Sequence, residues 1–299
     1  MTDLALRQDT VALRRVALRA AMGRRAALLA PGAANALTAR IIEDCGFDIC
    51  YVTGAGIANT LLGVPDVGLV TMSELAGTVE AIAEISSLPL VVDIDTGFGN
   101  AVNTYRTVRV LERAGAAALQ LEDQVFPKKC GHFSGKAVIP VDEMTAKIRA
   151  AVDARNDANL MIIARTDAAA VDGFQAALDR AAEFVAAGAD MTFVEAPRSD
   201  AELAMIPARL AVPQIANMVV GGKTPLLPQA RLAEMGFALV LYANAPLQAA
   251  MRAMHDVLSA LHRDGDLDAV ADRLAGFEER QRLVAKHAYD VLEDRYRTS

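Results

Sequence analysis

Eight short runs rich in β-forming residues recur along the 299-residue chain, and each is followed by a stretch with helical signals. The runs cover residues 27–30, 49–53, 90–95, 118–122, 160–165, 191–195, 214–217 and 238–242. Most are apolar throughout, which is typical of parallel strands covered on both faces. A doubly wound sheet would usually have fewer strands and a glycine-rich phosphate loop after the first. The pattern therefore predicts an α/β fold, a (β/α)8 TIM-type barrel over residues 26–265, with an N-terminal helical segment (1–25) and a C-terminal helical extension (266–299).

Glycines and capping residues mark the predicted helix ends. A glycine closes a helical stretch and precedes an apolar run at Gly46, Gly115, Gly188 and Gly236. Glycine suits this place because it adopts left-handed backbone without a Cβ clash. Thr71 with Glu74, and Ser199 with Glu202, have the spacing of capping boxes at two helix starts.

Composition excludes several classes of protein. Hydrophobic residues make up 53% and charged residues 22%, which favours a globular chain with a sizeable core. The net charge is −7; aromatic residues are only 5% and tryptophan is absent, so the sequence argues against a nucleic-acid partner. No apolar run is long enough to predict a membrane span, and the amino-terminal residues lack a secretory signal, so we expect a cytoplasmic protein. Six arginines and two aspartates stand in the first 25 residues, and we interpret this segment as a surface helix rather than a transit peptide.

Polar side chains stand at the carboxyl ends of the later predicted strands. They are Asp93 and Asp95, Glu122 and Asp123, Arg165 and Asp167, Glu195, and Asn217. In a barrel these ends meet at one rim, which is where barrel enzymes carry their chemistry. Neighbouring carboxylates repel one another and require a cation. Oxygen ligands without a histidine cluster favour Mg²⁺, with Mn²⁺ as the alternative, over zinc.

Two connections are unusually long, residues 54–70 after the second strand and residues 124–140 after the fourth. The second contains Cys130, which follows two lysines and precedes His132, so positive charge is expected to lower the pKa of its thiol. Cys45 and Cys50 lie in apolar contexts and are expected to pack in the core.

Four motifs carry a resemblance to a known family. They are Val-Asp-Ile-Asp-Thr-Gly-Phe-Gly (92–99), Leu-Glu-Asp-Gln (121–124), Lys-Lys-Cys-Gly-His (128–132) and Ala-Arg-Thr-Asp-Ala (164–168). Together they resemble the isocitrate lyase/phosphoenolpyruvate mutase superfamily over roughly residues 26–265. The cysteine loop is similar to that of the lyase branch, and residues 217–225 are similar to the subgroup that contains dimethylmalate lyase.

The resemblance implies roles for individual residues. It implies metal ligation, direct or through water, by Asp93, Asp95, Glu122 and Asp66. It implies substrate binding by Thr53, Gly54, Ala55, Gly131 and Asn217. Arg165 would stabilise oxyanion charge, Cys130 would protonate the leaving carbanion, and His132 would tune the thiol. The base that removes the hydroxyl proton is left open between Tyr51 and Glu195.

The implied reaction is a Mg²⁺-dependent retro-aldol cleavage of a small 2-hydroxy dicarboxylate, a 2-alkylmalate or a methylisocitrate-like acid, into a 2-oxo acid and a carboxylic acid. Two departures favour the alkylmalate: residues 133–135 lack the arginine usual in methylisocitrate lyases, and Val220 replaces a frequent glutamate, which predicts the loss of a polar contact in the pocket. The alternatives are an oxaloacetate hydrolase or decarboxylase, a carboxyphosphonoenolpyruvate-type phosphonomutase, and an inactive binding protein. The family also implies a homotetramer that uses the C-terminal helices.

Overall fold

Eight parallel strands close into a barrel in the order in which they occur in the chain, which confirms the predicted fold class. The structure, a computed structural model, describes residues 8–129 and 135–298. The strands are β1 (Leu28–Ala33), β2 (Cys50–Val52), β3 (Leu90–Asp93), β4 (Ala118–Glu122), β5 (Met161–Thr166), β6 (Met191–Val194), β7 (Gln214–Asn217) and β8 (Leu239–Tyr242). Pairing of β1 with β8 completes the ring.

Helices surround the barrel and extend beyond it. They are α1 (Gln8–Gly23), α2 (Ala36–Asp44), α3 (Gly54–Ile57), α4 (Met72–Ile85), α5 (Ala101–Ala114), α6 (Val141–Ala154), α7 (Phe174–Ala186), α8 (Asp200–Arg209), α9 (Gln229–Met235), α10 (Ala245–Asp264), α11 (Phe277–Leu283) and α12 (Lys286–Tyr296). A π-helical turn (Ala58–Leu62) and two 3-10 turns (Ala168–Ala170 and Asp268–Arg273) complete the regular structure of the described residues. No helix in the described ranges is long and apolar enough to cross a membrane.

The first strand differs most from its predicted bounds, since it continues through Pro31 and Gly32 to Ala33. Proline and glycine usually interrupt strands, so the sequence pattern ended the run at residue 30. Here Gly32 is required by space: a Cβ at this position would lie 1.8 Å from the carbonyl oxygen of Ala243. At Gly32 the backbone of β1 therefore lies closer to Ala243, the residue after β8, than any side chain would allow.

Helix ends follow the predicted punctuation. Gly46, Gly115, Gly188 and Gly236 all have left-handed backbone, with φ values of 82°, 109°, 107° and 97°. The Thr71–Glu74 capping box is complete. At Ser199 only half of the box forms, because the Glu202 carboxylate accepts from the backbone N–H of Arg198 instead. These ends set where each chain segment re-enters the barrel.

Helix α1 is exposed on one face, as expected for a surface helix, and packs into the core with the other. Leu18 and Met22 are each 1% exposed and belong to the same apolar cluster as barrel residues such as Ile163. The Arg15 guanidinium donates to the carbonyl oxygens of Glu112 (2.7 Å) and Ala116 (2.9 Å), at the end of α5 and just beyond it. Arginine runs are usually solvated, whereas here carbonyl groups at a helix end supply buried partners.

Candidate active site

A cavity of about 200 Å³ opens among the carboxyl ends of the strands. Nine residues predicted to belong to the site line it: Tyr51, Thr53, Ala55, Asp66, Asp93, Glu122, Arg165, Glu195 and Asn217. Gly54 and Asp95 adjoin it, since a Cβ on Gly54 would lie 3.2 Å from Asp95 Oδ1. The remaining three, Cys130, Gly131 and His132, lie outside the described residues.

Four acids meet at one side of the cavity, and Lys128 forms ion pairs with two of them. Its Nζ atom lies 2.7 Å from Asp95 Oδ1 and also contacts Asp66 Oδ1. The side chain of Lys128 is only 4% exposed. The Lys128 ammonium thus lies among the carboxylates, a contact that the sequence did not predict. Its predicted effect on the Cys130 thiol stays a prediction, because Cys130 lies outside the described residues.

Asp95 is held in an uncommon backbone conformation that brings the acids together. Its φ of 48° is left-handed, a region that aspartate tolerates better than most residues. Its N–H donates to Asp93 Oδ1 (3.2 Å), and its carbonyl oxygen accepts from the Glu122 N–H (2.9 Å). Asp93, Asp95 and Glu122 are thus held together at the carboxyl ends of the neighbouring parallel strands β3 and β4.

Burial makes the charge of these acids costly. It raises the pKa of Asp95 to about 7, although Lys128 opposes the shift, and it raises the pKa of Glu122 well above its ordinary value. The Glu122 Oε1 atom is buried and has no hydrogen-bond partner among the described residues. The acids offer oxygen atoms as ligands, and a hard divalent cation would compensate the charge that burial makes costly. Within the described ranges, no three acids, histidines or cysteines are arranged to hold a metal ion without rearrangement.

Arg165 lies at the centre of a second charged group. Asp167 accepts from its Nε (2.9 Å) and Nη2 (3.1 Å) atoms. Glu122 Oε2 lies 3.4 Å from Nε, and Glu195 Oε2 lies 3.6 Å from Nη2. The guanidinium also stacks 5.1 Å from the ring centroid of Phe193, and its pKa is raised by Asp167 and the two glutamates although burial opposes the charge. Arg165 is a fixed cation facing the cavity.

Asp123 is the one rim acid that turns away from this cavity. It is fully buried and accepts from Arg180 Nε of α7 (3.0 Å), Thr166 Oγ1 (2.7 Å) and the backbone N–H of Asp167 (2.9 Å). Adjacent strand residues face opposite sides, so Glu122 faces the cavity and Asp123 faces the helical layer. Its role is to join β4, β5 and α7.

The two candidate bases have different surroundings. Gln120 Nε2 donates to the Tyr51 hydroxyl (2.9 Å) and lies 3.4 Å from Asp93 Oδ1. Burial raises the pKa of Tyr51 well above its ordinary value, and the charge of Asp93 adds to this shift. Glu195 accepts from Asn217 Nδ2 at 3.3 Å. Tyr51 is therefore held as a neutral phenol, whereas Glu195 lies between a cation and an amide donor.

The other walls combine small polar groups with apolar ones. Thr53 Oγ1 accepts from the Gly56 N–H (3.2 Å) and hydrogen-bonds to Asn244 Oδ1 (3.3 Å). Residues that the sequence analysis did not assign to the site also line the cavity: Lys128, Lys129, Phe193, Val219, Leu241, Ala243, Asn244 and Gln248. Most of them lie at strand ends or early in α10, where no motif distinguishes them, whereas the two lysines belong to the Lys-Lys-Cys-Gly-His motif.

Two expectations about individual residues were wrong. Cys45 ends α2 and is exposed, because it follows the last apolar position of that helix, whereas Cys50 is buried in β2 and burial raises its pKa to about 12. Val220 is 66% exposed and does not line the cavity; the neighbouring Val219 does. The predicted loss of a polar contact at Val220 therefore does not shape this pocket.

Comparison with known proteins agrees with this geometry. The family model described as phosphoenolpyruvate phosphomutase matches residues 18–262. A 2,3-dimethylmalate lyase from Eubacterium barkeri is 44% identical over 91% of this chain and 94% of its own length. The chain belongs to the phosphoenolpyruvate mutase/isocitrate lyase superfamily. A 2-methylisocitrate lyase from Aeropyrum pernix is 43% identical over 91% of this chain and 88% of its own. The predicted similarity to the lyase branch is confirmed by these relatives.

Solved structures of the superfamily share the whole fold. A 2,3-dimethylmalate lyase has a TM-score of 0.89 at 33% identity and covers 94% of this chain and 95% of its own. An oxaloacetate acetylhydrolase in complex with 3,3-difluorooxalacetate has a TM-score of 0.89 at 31% identity, covering 96% and 98%. A phosphonopyruvate hydrolase in complex with oxalate and Mg²⁺ has a TM-score of 0.85 at 33% identity, covering 95% and 99%. The fold therefore serves more than one reaction.

Proposed function

We propose that this chain is a Mg²⁺-dependent carbon–carbon lyase that cleaves a small 2-alkylmalate into a 2-oxo acid and a carboxylic acid. The observation that carries the proposal is the arrangement of charges in the cavity. Four acids lie on one side, and the Arg165 guanidinium lies between Glu122 and Glu195. Such a site binds a cation and an anion next to each other, as a reaction that forms an enolate-like charge requires. The similarity to named lyases supports this reaction type.

The acids fit a hard divalent cation by their chemistry. The four acids, Asp93, Asp95, Glu122 and Asp66, offer only oxygen atoms as ligands. The Glu122 Oε1 atom has no hydrogen-bond partner among the described residues, and the absence of a side chain at Gly54 leaves space beside Asp93 and Asp95. We propose that the four acids hold Mg²⁺, with Mn²⁺ as a substitute. The ion would stabilise negative charge on the oxygens of the 2-oxo acid.

The remaining groups would bind and orient the acid. Thr53 Oγ1, with the backbone N–H groups of Gly54 and Ala55, would bind the carboxylate next to the reacting carbon. Asn217 Oδ1 is buried with no hydrogen-bond partner among the described residues, and it is available to a substrate hydroxyl. The apolar wall of Phe193, Val219 and Leu241 suits an alkyl branch better than a third carboxylate. This preference agrees with the absence of an arginine after the Cys-Gly-His motif.

Glu195 is the better candidate for the base. A phenol must lose its proton before it can accept one, and burial opposes that step at Tyr51. Glu195 would take the proton of the 2-hydroxyl group as the C2–C3 bond breaks and C2 becomes a carbonyl. The electron pair of that bond stays on C3 as a carbanion, and Arg165 would stabilise the charge that grows on the substrate oxygen.

Cys130 would then give its thiol proton to C3, while His132 and Gly131 would tune and position that thiol. These three residues lie outside the described part of the chain, so their roles rest on the sequence motif. The lysines just before them, Lys128 and Lys129, line the cavity. We expect Cys130→Ala to bind Mg²⁺ like the wild type, measured by calorimetry, and to lose cleavage. Substantial remaining turnover would remove Cys130 from the mechanism.

The activity test is a substrate panel. The purified protein with Mg²⁺ is incubated with 2-alkylmalates, methylisocitrate, isocitrate and oxaloacetate, and the 2-oxo acid and acetate are quantified. We expect a 2-oxo acid from a 2-alkylmalate, and its loss upon chelation. Acetate and oxalate from oxaloacetate alone would instead favour an oxaloacetate hydrolase, which the structural match to the acetylhydrolase makes the second candidate. No turnover together with no metal binding would favour an inactive binding protein.

Two further predictions of the sequence belong to this proposal. We propose a cytoplasmic enzyme that assembles as a homotetramer through its C-terminal helices. Helix α10 supports the assembly, because Ala260 is its only buried residue while several of its large apolar side chains are exposed.

A further inference from the structure

A lysine outside the cavity extends the charged group around Arg165. Lys136 Nζ lies 2.6 Å from Asp167 Oδ1, and Asp167 in turn binds Arg165 through both of its oxygens. The Lys136 side chain is 1% exposed and that of Asp167 is fully buried. Lysine is rarely buried to this degree without a specific partner.

The fold does not need Lys136 to hold its segment in place. The base of the connection after β4 is already tied by hydrogen bonds from Val125 N–H to Ala137 O (2.9 Å) and from Ile139 N–H to Asp123 O (2.8 Å). A solvated lysine between these ties would satisfy the backbone equally well. The burial of this ammonium thus calls for an explanation in terms of Asp167.

Charge supplies that explanation. Arg165 and Asp167 alone form a neutral pair, so the carboxylate would cancel much of the positive field that Arg165 presents to an anion. Lys136 makes the group of three net positive. It also fixes Asp167 Oδ1, while the backbone N–H of Asp167 is held by Asp123 at 2.9 Å. The carboxylate that orients Arg165 is therefore held from two sides.

We propose that Lys136 is a positioning residue that neutralises Asp167 and so leaves the charge of Arg165 available to the substrate oxyanion. The inference rests on the proposed function of the same site, because it concerns how Arg165 meets an anionic substrate. Lys136 does not line the cavity, so its proposed effect on the substrate oxyanion runs through Asp167 and Arg165.

The test measures anion binding separately from turnover. Oxalate serves as the probe, and its Kd in the presence of Mg²⁺ is measured by calorimetry for the wild type and its variants. We expect Lys136→Met to weaken oxalate binding about 10- to 100-fold, the order of one unit charge removed near an anion at an effective dielectric constant of about 20. Lys136→Arg keeps the charge and is expected to retain most of the affinity. Lys147→Met is the matched control, since Lys147 is a buried lysine that does not line the cavity; it donates to the carbonyl oxygen of Thr96 and lies 3.9 Å from Glu143 of its own helix.

A double variant separates charge from structure. Lys136→Met combined with Asp167→Asn leaves Arg165 as the only charge of the three, so we expect oxalate affinity to recover relative to Lys136→Met. A purely structural role predicts no recovery, and that result would overturn the proposal. Should Lys136→Met fail to fold, Lys136→Gln replaces it, because glutamine keeps a donor to Asp167 and removes the charge. Weaker oxalate binding by Lys136→Gln than by Lys136→Arg supports the proposal, and equal binding overturns it.

Turnover separates a failure of the proposed reaction from a failure of the role proposed for Lys136. Absence of 2-alkylmalate cleavage by the wild type, with the expected order of oxalate affinities, contradicts the proposed reaction and leaves the role of Lys136 intact. Normal cleavage with oxalate binding unaffected by Lys136→Met contradicts the role of Lys136 alone.

Discussion

At the scale of single residues, Lys128 determines the electrostatics of the acid group in the absence of metal. Its ammonium contacts Asp66 and Asp95, which come from different connections of the barrel. Although burial opposes its charge, the surrounding acids raise the pKa of Lys128 above its ordinary value. A divalent cation that binds the same carboxylates must compete with this ammonium for them. Lys128 therefore stabilises the metal-free protein and opposes metal binding.

Replacing Lys128 should separate these two effects. We expect Lys128→Met to lower the free energy of unfolding of the metal-free protein by about 3 kcal/mol, because breaking a buried ion pair leaves carboxylates without compensation. We also expect Mg²⁺ to raise its Tm more than that of the wild type, since no ammonium competes for the acids. Thermal unfolding with and without Mg²⁺ measures both quantities.

Lys129 offers a control of equal charge in the adjacent position. Its Nζ donates to the carbonyl oxygen of Gly135 (2.9 Å) and reaches no acid within the described part of the chain. Lys129→Met should leave the metal-free Tm and its gain with Mg²⁺ close to the wild-type values. A Lys128→Met protein that behaves the same way would show that this ammonium neither stabilises the acids nor competes for them.

The sequence could place acids at the rim but could not assign every side chain to the cavity. Strand ends position Asp93, Glu122 and Glu195, so a period of two and the barrel geometry are enough to bring them together. The direction of Asp123 depends on Arg180, which is 57 residues away along the chain. The contact of Lys128 with two acids depends in the same way on how a long connection folds back. Such long-range pairings leave no local pattern.

At the scale of elements, α1 acts as a cover for the apolar cluster inside the barrel. Its Leu18 and Met22 belong to that cluster, while Arg15 fixes the helix to the end of α5. The arginine also lies 3.2 Å from Asp157, so its guanidinium connects three segments.

Removal of this contact should loosen the cover. We expect Arg15→Ala to reduce Tm by on the order of 5–10 °C, because the variant removes the donor to two buried carbonyl oxygens and the ion pairs with Glu112 and Asp157. Arg24→Ala is the control, since Arg24 lies just after α1 and its side chain is exposed. The two variants are compared with the wild type at equal protein concentration. Equal Tm values for both variants would contradict the structural importance of Arg15.

Elements were more predictable than their bounds. All eight strands and the helix-ending glycines follow from apolar runs and left-handed turns, which are local properties of the chain. The end of β1 was missed because Pro31 and Gly32 are unfavourable in most strands. Gly32 is accepted here because the carbonyl oxygen of Ala243 approaches so closely that no side chain would fit at this position. Tertiary contact overrides local propensity at that point.

At the scale of the whole molecule, α10 presents an apolar stripe that residues 8–129 and 135–298 leave exposed. The stripe consists of Met251, Met254, Leu258 and Leu261, which are 55%, 55%, 61% and 40% exposed. Their spacing of three and four residues places them on one face of the helix. Exposed stripes of this kind are typical of helix pairing between subunits. The exposed apolar face of α10, which directly precedes the C-terminal extension, thus favours association between subunits.

The proposed assembly can be tested by changing that stripe alone. We expect the wild type to elute with about four times the 31.7 kDa mass of one chain in light scattering coupled to size exclusion. Met254→Glu with Leu258→Glu should yield smaller species, because burying a carboxylate in an apolar interface is costly. Ala253→Glu introduces one carboxylate at an exposed position of α10 outside the stripe and should preserve the assembly. A monomeric wild type would refute the homotetramer, and a double variant that stays tetrameric would show that the subunits associate through another surface.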